Sequence, residues 1–177
     1  MRAHPADARG FTLIELLIVV AIVGTLSALA MAVYRTARVH AGEGSAIAAL
    51  QAINQAQTLF SQTCGQQYFA PTLASLGTPA PSSGEAFLSP DLTAADAVVK
   101  SGYQFVMAGT AVTVDVRTCT GVTPVTSYQV TADPLTPGVT GARYFGTNTD
   151  RAIFADLATY TGNMPETGAP GHGAELR

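Results

Sequence analysis

The sequence is poor in charge and in the residue patterns that enzymes use. Asp, Glu, Lys and Arg together make up 12% of the 177 residues, and the net charge is −3. The chain has isolated arginines in place of a basic cluster, which argues against a nucleic-acid-binding protein. No serine lies in a G-x-S-x-G motif, no histidine is placed with a nucleophile, and no C-x-x-C-H sequence could attach haem. The sequence therefore predicts neither an enzyme nor a cofactor.

The sequence has, in contrast, a long apolar run near its N-terminus. The run extends from Phe11 to Val33, and Glu15 is its only charged residue. As a helix it would be about 34 Å long, which is enough to cross the hydrocarbon core of a bilayer. A carboxylate at the centre of a bilayer costs about 2.5–3.5 kcal/mol on insertion scales. Glu15 is therefore expected to have a cationic partner.

A cut between Gly10 and Phe11 would supply this cation. The new α-amino group would stand four residues before Glu15, the spacing at which helical side chains lie over one another. The amine could belong to the same chain or to a neighbouring copy whose helix starts one step higher. In the second arrangement the pairing would set the register of a helical stack of subunits.

The segment formed by Gly10 and Phe11-Thr-Leu-Ile-Glu15 resembles the class III signal of type IV pilins and of the related pseudopilins of type II secretion systems. The resemblance implies that a prepilin peptidase removes residues 1–10 at the cytoplasmic face of the inner membrane. It also implies that Phe11 becomes the N-methylated first residue of the mature chain.

The same resemblance implies how the mature chain assembles. Glu15 would pair with the N-terminus of a neighbouring subunit, and Gly24 would allow local melting of the helix in the filament. The implied partners are identical or related pilin subunits, the prepilin peptidase, the inner-membrane assembly machinery and, before assembly, membrane lipid. The implied location is the inner membrane first and an extracellular or periplasmic filament afterwards.

Two alternatives remain open. An ordinary signal peptide could be cleaved at Ala28–Ala30 or Ala30–Ala32, which would leave a secreted binding protein. The apolar run is longer than such peptides need, and Glu15 would interrupt it for no reason. Within the pilin-like reading, the sequence does not separate a pilus subunit used in adhesion or motility from a secretion pseudopilin.

The pilin-like interpretation divides the chain into four parts. They are a leader at 1–10, a membrane-spanning and filament-core helix at 11–33, a continuation of that helix at 34–63, and a globular head at 64–177. A long helix carrying a small antiparallel sheet is the α+β, lollipop-shaped fold expected of a pilin.

The continuation of the helix is apolar along one face. This face has the spacing of three and four residues typical of a helix packed on one side, and it consists of Ile47, Leu50, Ile53, Leu59 and Phe60. Gly42 and Gly44 interrupt the pattern. They are predicted either to weaken the helix just outside the membrane or to permit close packing there.

The head is predicted to contain four or five antiparallel strands. The predicted strands lie at residues 103–108, 111–116, 128–132, 143–145 and 152–155. The first two are expected to form a hairpin that turns at Gly109–Thr110. Residues 91–99 are expected to form a short helical turn, and the Gly- and Pro-rich tail from Asn163 is expected to be loose.

The two cysteines, Cys64 and Cys119, are compatible with a single disulfide in an extracytoplasmic protein. In the chain-entropy model a loop of this length would stabilise the fold by about 4 kcal/mol. The alternative is two buried, unpaired thiols.

A metal site has little support in the sequence. Asn148, Asp150 and Asp156 offer oxygen atoms around a late loop, where calcium could bind. They lack the alternating acidic pattern of a calcium loop. A solvated turn is the preferred interpretation, and no metal is predicted.

Overall fold

One long helix and one antiparallel sheet make up most of the protein. The computed structural model describes residues 11–176. Its helices are α1 (Leu13–Thr63) and the short α2 (Leu73–Leu76), and Pro90–Leu92 form a single 3-10 turn. The described residues fall into two compact units, one ending at Ala37 and the other beginning at Arg38. The second unit is called the head below.

The head contains a six-stranded antiparallel sheet whose strands follow one another in chain order. Ser101 and Gly102, which connect the first two strands, have φ angles of 50° and 83°, as two-residue hairpin turns require. The predicted α+β class, a long helix packed on an antiparallel sheet, is confirmed. The strands are β1 (Ala97–Lys100), β2 (Tyr103–Ala111), β3 (Val125–Pro134), β4 (Tyr144–Asn148), β5 (Ile153–Asp156) and β6 (Ala174–Glu175).

Within the head, α1 buries one apolar face in the main core. Leu50, Ile53 and Phe60 are completely buried, and each such side chain contributes about 1.5–3 kcal/mol on burial. The predicted helix face is correct for these three residues. Leu59 is 50% exposed, because the step from Phe60 to its neighbour rotates the side chain away from the core. The sheet contributes Phe105, Val130 and Phe145 to the same core.

Gly42 permits close packing and does not interrupt the helix. Helix α1 runs unbroken through Gly42 and Gly44. A β-carbon at Gly42 would overlap the carbonyl oxygen of Thr140 and lie 3.3 Å from that of Ser101. The helix backbone therefore lies against two connecting segments of the head at this point. At Gly44 a β-carbon would meet nothing within 4 Å, so packing does not account for that glycine.

The predicted hairpin turn at Gly109–Thr110 is wrong. Strand β2 continues through both residues to Ala111, and Gly109 pairs with Tyr128 of β3. A β-carbon at Gly109 would clash with the carbonyl of Ser127, so this glycine marks the close approach of two strands. Residues 112–124 form a loop, and residues 112–116 of it were predicted as the second strand of the hairpin.

The remaining strand predictions are closer to the structure. Residues 128–132 lie inside β3, and the two predicted strands around the turn at 146–151 correspond to β4 and β5. The short helical turn predicted at 91–99 is wrong in most of its length. Only the 3-10 turn at the start of this segment is helical, and β1 begins at Ala97, inside the predicted helical turn.

The C-terminal tail is held to the sheet, contrary to the expectation of a loose segment from Asn163. Strand β6 pairs with β5, and Met164 packs with Phe154 and Tyr160 in a second small core. The carboxylate of Glu166 accepts hydrogen bonds from the backbone N–H and hydroxyl of Thr110, at 3.2 and 2.9 Å. These contacts join residues far apart in the chain, so composition alone does not reveal them.

Cys64 and Cys119 form a disulfide with a Cα–Cα distance of 4.8 Å. Cys64 directly follows α1, whereas Cys119 lies in the 112–124 loop. The backbone N–H of Cys119 also donates to the carbonyl of Cys64 at 3.0 Å. The bridge therefore fastens this loop to the end of α1, and the alternative of two unpaired thiols is wrong.

Candidate assembly segment

The start of α1 places Glu15 in its first turn. The backbone N–H of Glu15 donates to the hydroxyl of Thr12 at 3.3 Å, and the backbone N–H of Leu16 donates to the carbonyl of Thr12 at 3.2 Å. Thr12 is thus the N-cap of α1, and a carboxylate three residues later interacts favourably with the helix dipole. The sequence analysis did not single out Thr12, although the pattern T-x-x-E is the known signal for such a cap.

Phe11 precedes the N-cap and lies outside the helix. Its side chain is 72% exposed. The amine of Phe11 would lie one helical turn below Glu15 of the same chain only if the helix began at Phe11. Since α1 begins at Leu13, a same-chain contact between the amine and Glu15 would not be an ordinary i, i+4 contact of a helix. Gly10, the predicted last residue of the leader, lies outside the described residues.

The large side chains of the apolar segment at 11–34 are exposed in the subunit. The large apolar side chains from Phe11 to Tyr34 are between 49% exposed, at Val19, and 83% exposed, at Leu13. Helix α1 is long and apolar enough in this part to cross a membrane. A continuous exposed apolar surface of this size requires lipid or protein to cover it.

Gly24 lies in the middle of this segment. A β-carbon there would meet nothing within 4 Å, so the glycine is not needed for packing inside the subunit. The hydroxyl of the adjacent Thr25 donates to the carbonyl of Ile22 at 2.9 Å, and such bonds compete with the helical ladder. The predicted melting of α1 at Gly24 remains a prediction.

In the head, α1 carries one buried charge, which the sequence analysis did not single out. The carboxylate of Glu43 accepts hydrogen bonds from the guanidinium of Arg143, at 2.8 and 3.0 Å, and from the backbone N–H groups of Ala142 and Arg143, at 3.0 and 3.2 Å. His40 lies 3.9 Å away. Glu43 lies three and seven residues before the buried Ala46 and Leu50. A glutamate in line with an apolar helix face is a sequence signal for a buried carboxylate.

The hydrogen bonds to Glu43 outweigh its burial. Desolvation raises the pKa of the Glu43 carboxyl, but the hydrogen bonds from Arg143 and Ala142, together with the charge of Arg143, bring the pKa below its usual value. A carboxylate whose pKa is lower in the folded state stabilises the fold above its unfolded pKa, and this contribution is lost as the pH falls through the folded pKa.

We expect Glu43→Gln to lower the stability of the full chain at pH 7 by about 2 kcal/mol, because neutral hydrogen bonds replace charge-assisted ones. The difference between wild type and variant should shrink as the pH falls below about 4.5. Thermal unfolding of both proteins in detergent between pH 7 and pH 3 measures this difference. Asp91→Asn removes an exposed carboxylate paired with Lys100 and serves as the control, with a much smaller effect at pH 7. A difference independent of pH would show that Glu43 does not act through its charge.

The oxygen atoms considered for calcium take part in contacts of the tail. The side-chain amide of Asn148 donates to the carbonyls of Pro165 and Gly168, at 3.1 and 2.7 Å. Asp150 accepts from the backbone N–H of Gly168 at 2.6 Å. Asp156 is used elsewhere, in a pair with His172. Within residues 11–176, no group of three or more His, Cys, Asp and Glu side chains is arranged to hold a metal.

His172, expected in a loose tail, is also fixed. Its Nδ1 lies 2.6 Å from the Asp156 carboxylate, and its ring stacks on Tyr160 with the two planes 6° apart. The hydrogen bond from His172 is the main cause of the lowered pKa of Asp156. Burial raises the pKa of the Tyr160 hydroxyl to about 12. The three side chains hold the tail against the sheet.

Residues 6–31 match the family described as the prokaryotic N-terminal methylation motif, which is the class III signal of type IV pilins and pseudopilins. Comparison with curated proteins and with solved structures finds no match. The motif supports a type IV pilin-like or pseudopilin protein, and hence a structural protein. It implies processing by a prepilin peptidase and assembly with pilin subunits. Together with the apolar helix, it fits anchoring in the membrane before assembly.

Proposed function

We propose that this chain is the structural subunit of a type IV pilus or pilus-like filament, cut after Gly10, N-methylated at Phe11 and polymerised through α1. The observation that carries the proposal is the position of Glu15. It is an exposed carboxylate in the first turn of a helix whose surroundings are otherwise apolar, inside the matched methylation motif.

The partner of Glu15 is the N-terminal amine of a neighbouring subunit. Thr12 caps the helix and lies within 3.5 Å of the Glu15 carboxylate, but a hydroxyl does not neutralise its charge. Because Phe11 lies before the cap, we expect its amine to reach out of the subunit once residues 1–10 have been removed. Between parallel helices in an apolar filament core, this charge pair would be worth far more than in water. It would also fix the axial step from one subunit to the next.

The exposed apolar segment has two successive environments. Before assembly lipid covers it, because it is long enough to span a bilayer. In the filament, the same segments of other copies cover it. Glu15 is the only charged side chain between Phe11 and Val33, so it loses the most favourable solvation of any side chain in both environments.

The N-terminal residue and intact mass of the protein isolated from its own cells test the proposal. We expect a chain that begins at N-methylated Phe11 and has lost residues 1–10. Filaments sheared from the same cells should contain this form. A chain that begins near Met31 or Val33 would show cleavage of an ordinary signal peptide, and the proposal would then be wrong.

A further inference from the structure

The head has an unusual helix face that its own sheet does not cover. Along the part of α1 from Ala41 to Thr63, Glu43 is the only charged residue and it is buried. The exposed side of this helix carries small residues first and then Gln51, Gln55, Leu59 and Gln62. Exposed helix faces of soluble proteins normally carry charges.

An open groove of about 710 Å³ runs along this face, between α1 and the turn that connects β4 to β5. The groove is lined by Gln51, Gln55 and Gln62, with Leu59 among them, and by Arg151. The backbone of Arg151 is fixed, since its N–H donates to the carbonyl of Asn148 at 2.8 Å and its carbonyl accepts from the Asn54 amide at 3.3 Å.

The guanidinium of Arg151 has no ion pair and no hydrogen bond within residues 11–176. Among the described residues that follow Arg38, the other lysine and arginine side chains are paired: Lys100 with Asp91 at 2.7 Å, Arg117 with Asp115 at 3.8 Å and Arg143 with Glu43 at 2.8 Å. The groove therefore offers one unneutralised positive charge beside uncharged amides. Its chemistry suits a carboxylate with small neighbours.

The same head carries such a carboxylate on another side. Asp96 is exposed and, within the described residues, has no ion pair or hydrogen bond. It precedes β1, the strand at one edge of the sheet. Ala95 and Ala97 flank it and are exposed, and Val99 is 54% exposed. This patch is small, apolar and acidic.

The register of the sheet places the two patches at the same height. Ala97 pairs with Val106, Val106 with Thr131, and Thr131 with Gly146. Asp96 therefore lies at the end of the sheet where the β4–β5 turn carries Arg151. Three strand spacings, or about 14 Å, separate β1 from β4. The two patches are thus separate surfaces of one head, and two different patches that meet head to tail generate an open polymer.

We propose that the Arg151 groove of one head receives the Asp96 edge of the neighbouring copy in the filament. This inference rests on the proposed function, because it assigns the head-to-head contact of the same polymer. Glu85, Asp150 and Glu175 are the other exposed carboxylates without an ion pair among residues 38–176. Asp150 accepts from the backbone N–H of Gly168 and belongs to the same turn as Arg151. Glu175 is followed by the larger Leu176, and Glu85 lies in the loop between α2 and the 3-10 turn. Asp96, which lies between two alanines beside the edge strand β1, is the partner that the geometry favours.

A charge swap in the full-length chain tests the contact. Cells that produce Arg151→Glu or Asp96→Arg should each yield about fivefold less sheared filament than wild type, because each variant places like charges together. The double variant Arg151→Glu/Asp96→Arg should recover most of the yield. Arg117→Glu, an exposed charge reversal in the 112–124 loop, serves as the matched control and should leave the yield near that of wild type.

Two further measurements keep the outcomes separate. Protease resistance of each variant in membranes reports whether the head is folded, and mass spectrometry of the N-terminus reports cleavage after Gly10. Normal yields from both single variants would overturn the inference. So would recovery with Glu85→Arg or Glu175→Arg in place of Asp96→Arg. Absence of cleavage and of filaments in wild type would contradict the proposed function itself.

Discussion

Gly10→Val leaves the precursor uncut, so that the protein isolated from cells retains residues 1–10 and no filament forms. A peptidase must bring the backbone around the scissile bond against its catalytic groups, and glycine offers no side chain to obstruct that approach. Valine is branched at its β-carbon and stiff. The intact mass of the protein in membrane extracts measures the outcome, because precursor and mature chain differ by ten residues.

The matched control for this variant lies in the same leader. Ala6→Val adds a similar bulk four residues before the cut and should be processed as in wild type. A Gly10→Val protein that begins at Phe11 would show that glycine is not needed for cleavage. Cleavage at another site in both variants would show that the leader is an ordinary signal peptide.

Glu15→Ala is cut normally but assembles poorly, with sheared filament reduced about tenfold or more relative to wild type. Removing one member of a hydrogen-bonded charge pair costs about 2–5 kcal/mol in an interface, and each 1.4 kcal/mol is a factor of ten in an equilibrium constant. The ratio of sheared filament to mature subunit in the membrane measures the effect. Poor insertion cannot account for the loss, because an alanine inserts into a membrane more readily than a carboxylate.

Ile18→Ala provides the control for Glu15→Ala. Ile18 lies three residues further along α1 and is 52% exposed, so the variant trims the same side of the helix without removing a charge. We expect Ile18→Ala to lower the filament yield much less than Glu15→Ala, because it removes packing area but no charge. Equal losses from the two variants would assign the effect to packing, and a normal yield from Glu15→Ala would contradict the pairing of Glu15 with a neighbouring amine.

The sequence was a good guide where one local pattern decides the structure. The apolar periodicity of α1 predicted the burial of Leu50, Ile53 and Phe60, because an unbroken helix converts spacing into direction. The two strands at 143–145 and 152–155, which correspond to β4 and β5, were predicted from two short apolar segments. In both cases neighbouring residues determine the outcome.

The sequence was a poor guide where distant parts of the chain meet. Gly109 resembles a turn residue, but its lack of a side chain is needed for the approach of Ser127 in the next strand. The tail has the composition of a loose segment, yet Glu166 finds its donors at Thr110 and Ser127. Hydrogen bonds between such distant residues leave no periodic signal in the sequence.

The candidate functional residues show the same contrast between local patterns and contacts of distant residues. Glu15 and Gly24 were found because a charge and a glycine stand out in an apolar run, whereas the capping role of Thr12 depends on where the helix begins. Arg151 could not be found from sequence, because isolated arginines are common and its groove is formed by α1 and a turn far along the chain.

Two contacts near the ends of the head part of α1, the Glu43–Arg143 ion pair and the Cys64–Cys119 disulfide, bear on how a subunit responds to tension. Glu43 lies near one end of the part of α1 that belongs to the head, and Cys64 lies just beyond the other end, roughly 30 Å away along the helix. A pull along the helix axis loads both contacts together in shear. Contacts between the helix and the sheet cannot break one after another from an end unless the contact at that end breaks first. At one end this contact is a disulfide bond. In a stretched filament of such subunits, the Glu43–Arg143 ion pair and the disulfide would therefore bear the load together.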